Sequence, residues 1–311
     1  MLLTVFIVVV VVLVILVGVE VYLRAVIGMG DPPLWMDDAD IEYRAQPLRS
    51  YRRYGNRISY NAYSMRNPDV SPAKTDPREI RVMVLGDSIV DGGATIDQES
   101  LATFLLEQRL GAALDRPVFV GNIAARGWSP CHYHAYVKKF GLFDADVVMI
   151  ITNSGDYDRV PSFRRKRARR RPLLALEDMR REWVRKYQIA RDARRYRPDA
   201  ATRAKNIEIC MEALREVIGM ARSAGAEVLM AQYLWRSEIE GRPGEGHDGI
   251  LQVARELGIE PLQLADAFAR ALRQGDRPFL GDARHPNALG QRIIAEVLFE
   301  PIRRAVMSRA E

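Results

Sequence analysis

A serine hydroxyl is a weak nucleophile until an imidazole takes its proton, and the imidazole works best with a carboxylate behind it. The chain carries these three groups in two separate places. Gly86-Asp87-Ser88-Ile89 follows the apolar run Arg81-Val-Met-Val-Leu85, and Asp282-Ala-Arg-His285 leads into Pro286-Asn287. An aspartate three residues before a histidine on one loop can fold back and hold the imidazole tautomer. A serine just after a strand lies at the carboxyl edge of a sheet, where its N–H can face a developing oxyanion. Gly86 allows the tight exit from that strand. Taken singly, each piece has a plainer reading. Gly-Asp-Ser is also a helix-capping turn, and Asp-x-x-His is also a solvated loop. The two together, with His285 one of only four histidines, point to acyl transfer through a serine.

These residues need elements to position them. Short apolar runs at Arg81–Leu85, Val118–Val120, Asp146–Thr152 and Glu227–Tyr233 predict buried strands, with a fifth at Leu262–Leu264. Helical spacing falls between them at Gln98–Leu114, His134–Phe140, Ala204–Ala224 (closed by Gly225) and Ile250–Leu257. A last helix runs from Ala288 to about Val306 behind Asn287 as cap. Alternating strands and helices predict a parallel sheet covered on both faces, and ligands bind such sheets at the carboxyl ends of their strands.

With these blocks in that order, the chain resembles the SGNH hydrolase superfamily, also called GDSL esterases, over roughly Ile80 to Val306. The resemblance implies a three-layer α/β/α sandwich of flavodoxin-like type. It makes Ser88 the nucleophile, with His285 and Asp282 completing the triad. A second family block, Asn then Gly five residues on, matches Asn122 and Gly127, so the N–H groups of Ser88 and Gly127 inherit the oxyanion role. The third block departs from the family pattern. The family has Gly-x-Asn-Asp, whereas this strand runs into Asn153-Ser154-Gly155-Asp156. Either Asn153 takes the donor role without its Asp, or Asp156 matches the family Asp and Gly155 stands where Asn belongs. Softer likenesses, Gly127-Trp-Ser-Pro130 and Asn61-Ala-Tyr-Ser-Met-Arg66, resemble membrane-anchored members of bacterial surface-polysaccharide systems. They imply an acyl ester on a cell-surface glycan as substrate and an exported catalytic domain, while the triad chemistry itself calls for no cofactor.

The domain plan follows. Residues 2–23 are uncharged up to Glu20, long enough for a bilayer core that takes roughly 20 apolar residues. Without a basic start or a small-residue cleavage site, they read as an uncleaved anchor, 1–24. Pro32-Pro33, Pro68, Pro72 and Pro77 punctuate residues 25–79, read as a connector to a hydrolase domain at 80–311. Nothing basic precedes the span and Arg24 follows it, which by the positive-inside rule leans toward a cytoplasmic domain, opposite to the export that the resemblance implies.

Charge is uneven. Arg159 to Arg197 holds 16 Lys/Arg against 4 Asp/Glu, a net of +12, so the remainder is −6 within the overall +6. This basic insertion, at about 159–200, includes Arg164–Arg171, a run that suits anionic polymers or lipid headgroups or is simply a solvated loop. No interleaved aromatics or nucleic-acid motif accompany it, so no nucleic-acid partner is expected. Cys131 and Cys210 form no C-x-x-C motif, and a disulfide framework is not expected. His132 and His134 lack a foreseeable third ligand, so no metal site is expected. Two rivals remain: an O-acyltransferase using the same triad, and a non-catalytic tethered glycan-binding or assembly protein, which the irregular third block favours.

Overall fold

A computed structural model describes residues 1–162, 169–195 and 198–309. The apolar start is a helix, α1 (Leu2–Tyr22), none of whose residues is buried, continued by a π-helical turn to Ile27. Among the described residues it is the one helix long and apolar enough to cross a membrane.

The segment expected to be a connector is folded. It makes two antiparallel hairpins, β1 (Trp35–Asp38) with β2 (Glu42–Ala45), and β3 (Arg49–Arg53) with β4 (Asn56–Tyr60). Tyr54 and Gly55 form the two-residue turn of the second, both at positive φ (53° and 79°), as the tight turns matching strand twist require. Tyr43, Tyr51, Ile58 and Tyr60 enter the same core as the sheet.

The sheet has β5 (Ile80–Gly86), β6 (Val118–Ala124), β7 (Val147–Asn153), β8 (Glu227–Tyr233) and β9 (Leu262–Gln263), all parallel in the order β6-β5-β7-β8-β9. Alternate strand residues face opposite layers. Met83, Leu85, Val148 and Ile150 pack with α4 (Pro130–Phe140), α6 (Ala200–Ser223) and α8 (Glu245–Glu256). Val82, Val84, Met149 and Ile151 pack with α2 (Ser88–Asp91), α3 (Ala102–Leu114), α9 (Ala265–Arg273) and α10 (Ala288–Ser308). Both faces are therefore dry, as the continuous apolar strands require. The expected α/β/α sandwich is the observed one. Three helices had no counterpart in the sequence reading, the charged α5 (Ala175–Arg195), the short α7 (Arg236–Ile239) and the nine-residue α9. Helix α4 begins four residues earlier than expected, because Ser129 caps it and Pro130 fits its first turn.

Because β6 lies on one side of β5 and β7 on the other, the strand order reverses at β5, the position at which sheets of this kind form a crevice at their carboxyl edge.

Candidate active site

The crevice collects one loop from each of three strands. β5 ends at Gly86, where any β-carbon would collide with the Val90 side chain. The absent side chain lets α2 start immediately over the strand. Asp87 caps that helix through Oδ1, which accepts the Ile89 N–H at 2.9 Å. Ser88 is the first residue of α2, so its N–H has no intrahelical acceptor. On the next strand, buried Asn122 donates to the Val90 carbonyl at 2.8 Å and to Thr103 Oγ1 at 3.1 Å, fixing α2 against β6. Gly127 follows at φ 81°, a backbone conformation that side chains rarely adopt. Among the described residues, neither the Ser88 nor the Gly127 N–H donates to a protein acceptor.

The loop before α10 brings the remaining groups. Ser88 Oγ lies 2.9 Å from His285 Nε2, and His285 Nδ1 lies 2.6 Å from Asp282 Oδ2. The second carboxylate oxygen accepts the N–H groups of Arg284 and His285, each at 3.0 Å. Ala283 takes positive φ (56°) to close this loop. Partial burial alone would raise the Asp282 pKa, but the N–H donors of His285 and Arg284 and the imidazole outweigh it and hold the carboxyl below its usual range. A charged carboxylate thus sits on one imidazole nitrogen and a hydroxyl on the other, an arrangement able to move a proton from serine to a leaving group.

Asn153 ends β7, and Asp156 lies one 3₁₀ turn on. The residues that end this block are therefore in contact with one another. Asn153 Nδ2 lies 3.2 Å from Asp87 Oδ2 and 3.1 Å from Asp156 Oδ2, while its own oxygen accepts the Gly155 N–H at 2.9 Å. Its amide hydrogens face carboxylates beside Ser88, whose Oγ is 3.4 Å from Asp87 Oδ2. Arg159 Nη1 closes the cluster at 3.8 Å from Asp87 and 3.6 Å from Asp156. Full burial, with the Asp87 charge adding to it, drives the Asp156 carboxyl well above the usual range.

The sequence reading missed the brace behind Gly127. Tyr43 donates its hydroxyl to the Arg126 carbonyl at 2.8 Å, and Trp128 Nε1 donates to the Tyr43 carbonyl at 3.1 Å. Beside them, Glu42 Oε2 meets His132 Nε2 at 3.0 Å, and His132 Nδ1 meets Ser129 Oγ at 3.0 Å. Glu42 holds φ 81° to do so, and its other oxygen accepts from Ser162. Hairpin β1–β2 thus grips both sides of the loop that carries Gly127. His134 turns elsewhere, to Glu216 at 3.1 Å, so the two histidines do not converge. Trp128 is buried against His132 and Tyr136. Cys131 and Cys210 face one another with sulfurs 3.6 Å apart. Of the basic run, Arg164–Arg167 lies outside the described residues. Arg171 pairs with Asp31 at 2.7 Å and Arg169 pairs with Asp37, so part of the excess charge is met by the folded N-terminal segment.

Residues 84–293, two thirds of the chain, match the family model of GDSL-like lipases and acylhydrolases. The chain belongs to that family. This acylhydrolase is an enzyme acting on ester bonds. No curated protein sequence matches it. Among solved structures it is similar to an α/β hydrolase, LAE5, from the metagenome of Lake Arreo, Spain (16% identity, 73% of this chain, 96% of that one, TM-score 0.49). It is also similar to a two-domain esterase active on acetylated mannans (12% identity, 74% of this chain, TM-score 0.50), of which it spans 50%. A third is a mutant form of an acetyl-xylooligosaccharide esterase of Geobacillus (15% identity, 72% of this chain, 94% of that one, TM-score 0.49). At 12% identity and a TM-score of 0.50, the likeness to the mannan-active esterase extends to the fold.

Proposed function

We propose that this acylhydrolase cleaves an acyl ester, in the first instance an acetyl ester, through a covalent intermediate on Ser88. Ser88 Oγ attacks the ester carbonyl while His285 Nε2 takes its proton. The same imidazole then protonates the departing alkoxide, leaving acyl-Ser88. Water, deprotonated by His285, releases the acid and restores the hydroxyl. Asp282 fixes the imidazole and stabilises its charged form. The N–H groups of Ser88 and Gly127 hold the oxyanion, and Asn153 adds a third donor when the acyl oxygen competes with Asp87 for its amide. The observation that carries this reading is the unbroken chain of contacts Ser88–His285–Asp282, at 2.9 and 2.6 Å.

The substrate class we infer is an acylated cell-surface carbohydrate. It is supported by the resemblance of the Gly127–Pro130 and Asn61–Arg66 segments to anchored members of polysaccharide systems, which also supports an extracytoplasmic catalytic domain. The fold is shared with an esterase active on acetylated mannans. Helix α1, apolar and exposed along its length, supports the reading of residues 2–23 as an anchor in the membrane.

Turnover of an aryl acetate by the full chain and by Ser88→Ala tests the chemistry. Loss of turnover in the variant supports the reading, and equal rates would remove it. Acetate release from an acetylated oligosaccharide, set against acetyl transfer to an added sugar, separates hydrolysis from acyl transfer.

A further inference from the structure

Helix α5 carries an exposed apolar face that none of the described residues covers, and it begins where α1 ends. We infer that this face beds into the phospholipid headgroup layer of the bilayer that α1 crosses. The inference rests on the anchor reading of α1.

Three observations place it there. First, α5 is tied to the exit of α1. Glu20 accepts the N–H groups of Ala175 and Leu176, at 2.7 and 3.1 Å, so an acidic side chain of the anchor caps the N-terminus of α5. Arg24 donates to the Leu173 carbonyl. Since 21 helical residues already span a bilayer core of about 30 Å, Glu20 lies near the interface and α5 starts at that depth.

Second, α5 is held in one rotation about its axis. Buried Arg53 bonds Asp178 at 2.5 Å and Glu182 at 2.6 Å, and Asp178 also accepts the Gly30 N–H at 2.9 Å. Asp178 and Glu182, one turn apart, thus mark the inward face. Third, the outward face has the composition of the interfacial zone. Arg180, Trp183, Val184 and Tyr187 lie opposite Asp178 on the helix, with Trp183 75% and Tyr187 70% exposed, and Leu173 is 88% exposed just ahead of them. Tryptophan and tyrosine collect at headgroup depth, and arginine there meets anionic phosphates. A solvated charged helix would have no use for these rings.

The test uses the full chain reconstituted into vesicles of phosphatidylglycerol and phosphatidylcholine, with the phosphatidylcholine brominated high on its acyl chains. Of the four tryptophans, Trp35 and Trp128 are buried and Trp235 is stacked beneath Arg284. Trp183 is thus the ring open to quenching by bromine. Co-flotation with the vesicles, with a loss of tryptophan emission that disappears in Trp183→Phe, is the expected result. Co-flotation with no difference between native and Trp183→Phe would overturn the inference and leave the anchor standing. Blue-shifted but unquenched Trp183 emission would overturn it in favour of a second copy of the chain on that face. Failure to co-float would remove the anchor reading and the inference with it.

Discussion

Ser88 Oγ and His285 Nε2 stand 2.9 Å apart although 197 residues separate them in the chain. The contact exists because β5 delivers the serine to the crevice and α10, packed on the same side of the sheet as α2, brings the histidine back over it. Gln291 of α10 donates to the Ile89 carbonyl at 2.8 Å and accepts the Ala102 N–H at 2.9 Å, which locks the two ends together.

The imidazole tautomer depends on Asp282. Asp282→Asn keeps the shape of the loop but no longer supplies a charged acceptor for Nδ1. We expect kcat on an aryl acetate to fall by roughly 10³–10⁴-fold with little change in KM. A fall below tenfold would show that Asp282 does not orient the base.

The brace from hairpin β1–β2 has a kinetic signature. Glu42→Gln weakens the hold on His132, and Tyr43→Phe frees the Arg126 carbonyl. If these contacts set the Gly127 N–H, each variant lowers kcat about tenfold, less than the hundredfold that ~1 Å of misplacement can cost, and leaves KM unchanged. An unchanged kcat in a folded variant would make the hairpin a cover and nothing more.

Asn153 is tested by Asn153→Ala. A donor to the oxyanion is worth about 10²–10³ in kcat. A loss of that size would mean that the amide leaves Asp87 for the acyl oxygen. A loss of thermal stability at unchanged kcat would mean that Asn153 only bridges Asp87 and Asp156.

Asp156 sets a pH dependence of stability. Its folded pKa is raised by burial and by Asp87, so the native state binds a proton more tightly than the unfolded chain, whose carboxyl titrates near ~4. The stability linked to this proton is complete below the unfolded value and declines as pH rises through the window above it. Asp156→Asn, neutral throughout, should therefore lose less stability than native protein between pH 5 and 8, read as unfolding midpoints in detergent. Parallel curves would contradict the assignment.

Much of this was legible in the sequence. The strands of the sheet announce themselves because they are apolar on both faces, and Gly86, Ser88, Asp282 and His285 lie in short local motifs whose spacing carries their chemistry. What escaped reading depends on distance or on charge. The Tyr43–Arg126 and Glu42–His132 contacts join residues 83 and 90 apart, and no local period reports such a pair. The hairpins of residues 35–60 were hidden by the surrounding prolines and by the charged flanks of the Tyr54-Gly55 turn, Arg52-Arg53 and Asn56-Arg57, which show no clean apolar alternation. Helix α5 was hidden by its arginines, since its inward face is held by ion pairs with Arg53 and not by an apolar stripe. In the irregular third block, Asn153 and Asp156 are hydrogen-bonded across one 3₁₀ turn, a contact that a spacing unlike the family's does not announce.

The central claim is that Ser88 is a nucleophile activated by His285. The most direct measurement is covalent labelling of the full chain by a fluorophosphonate, followed by mass analysis of the modified peptide. We predict one adduct, on Ser88, formed rapidly by native protein and far more slowly by His285→Ala. No adduct, or one that persists in Ser88→Ala, would contradict the account.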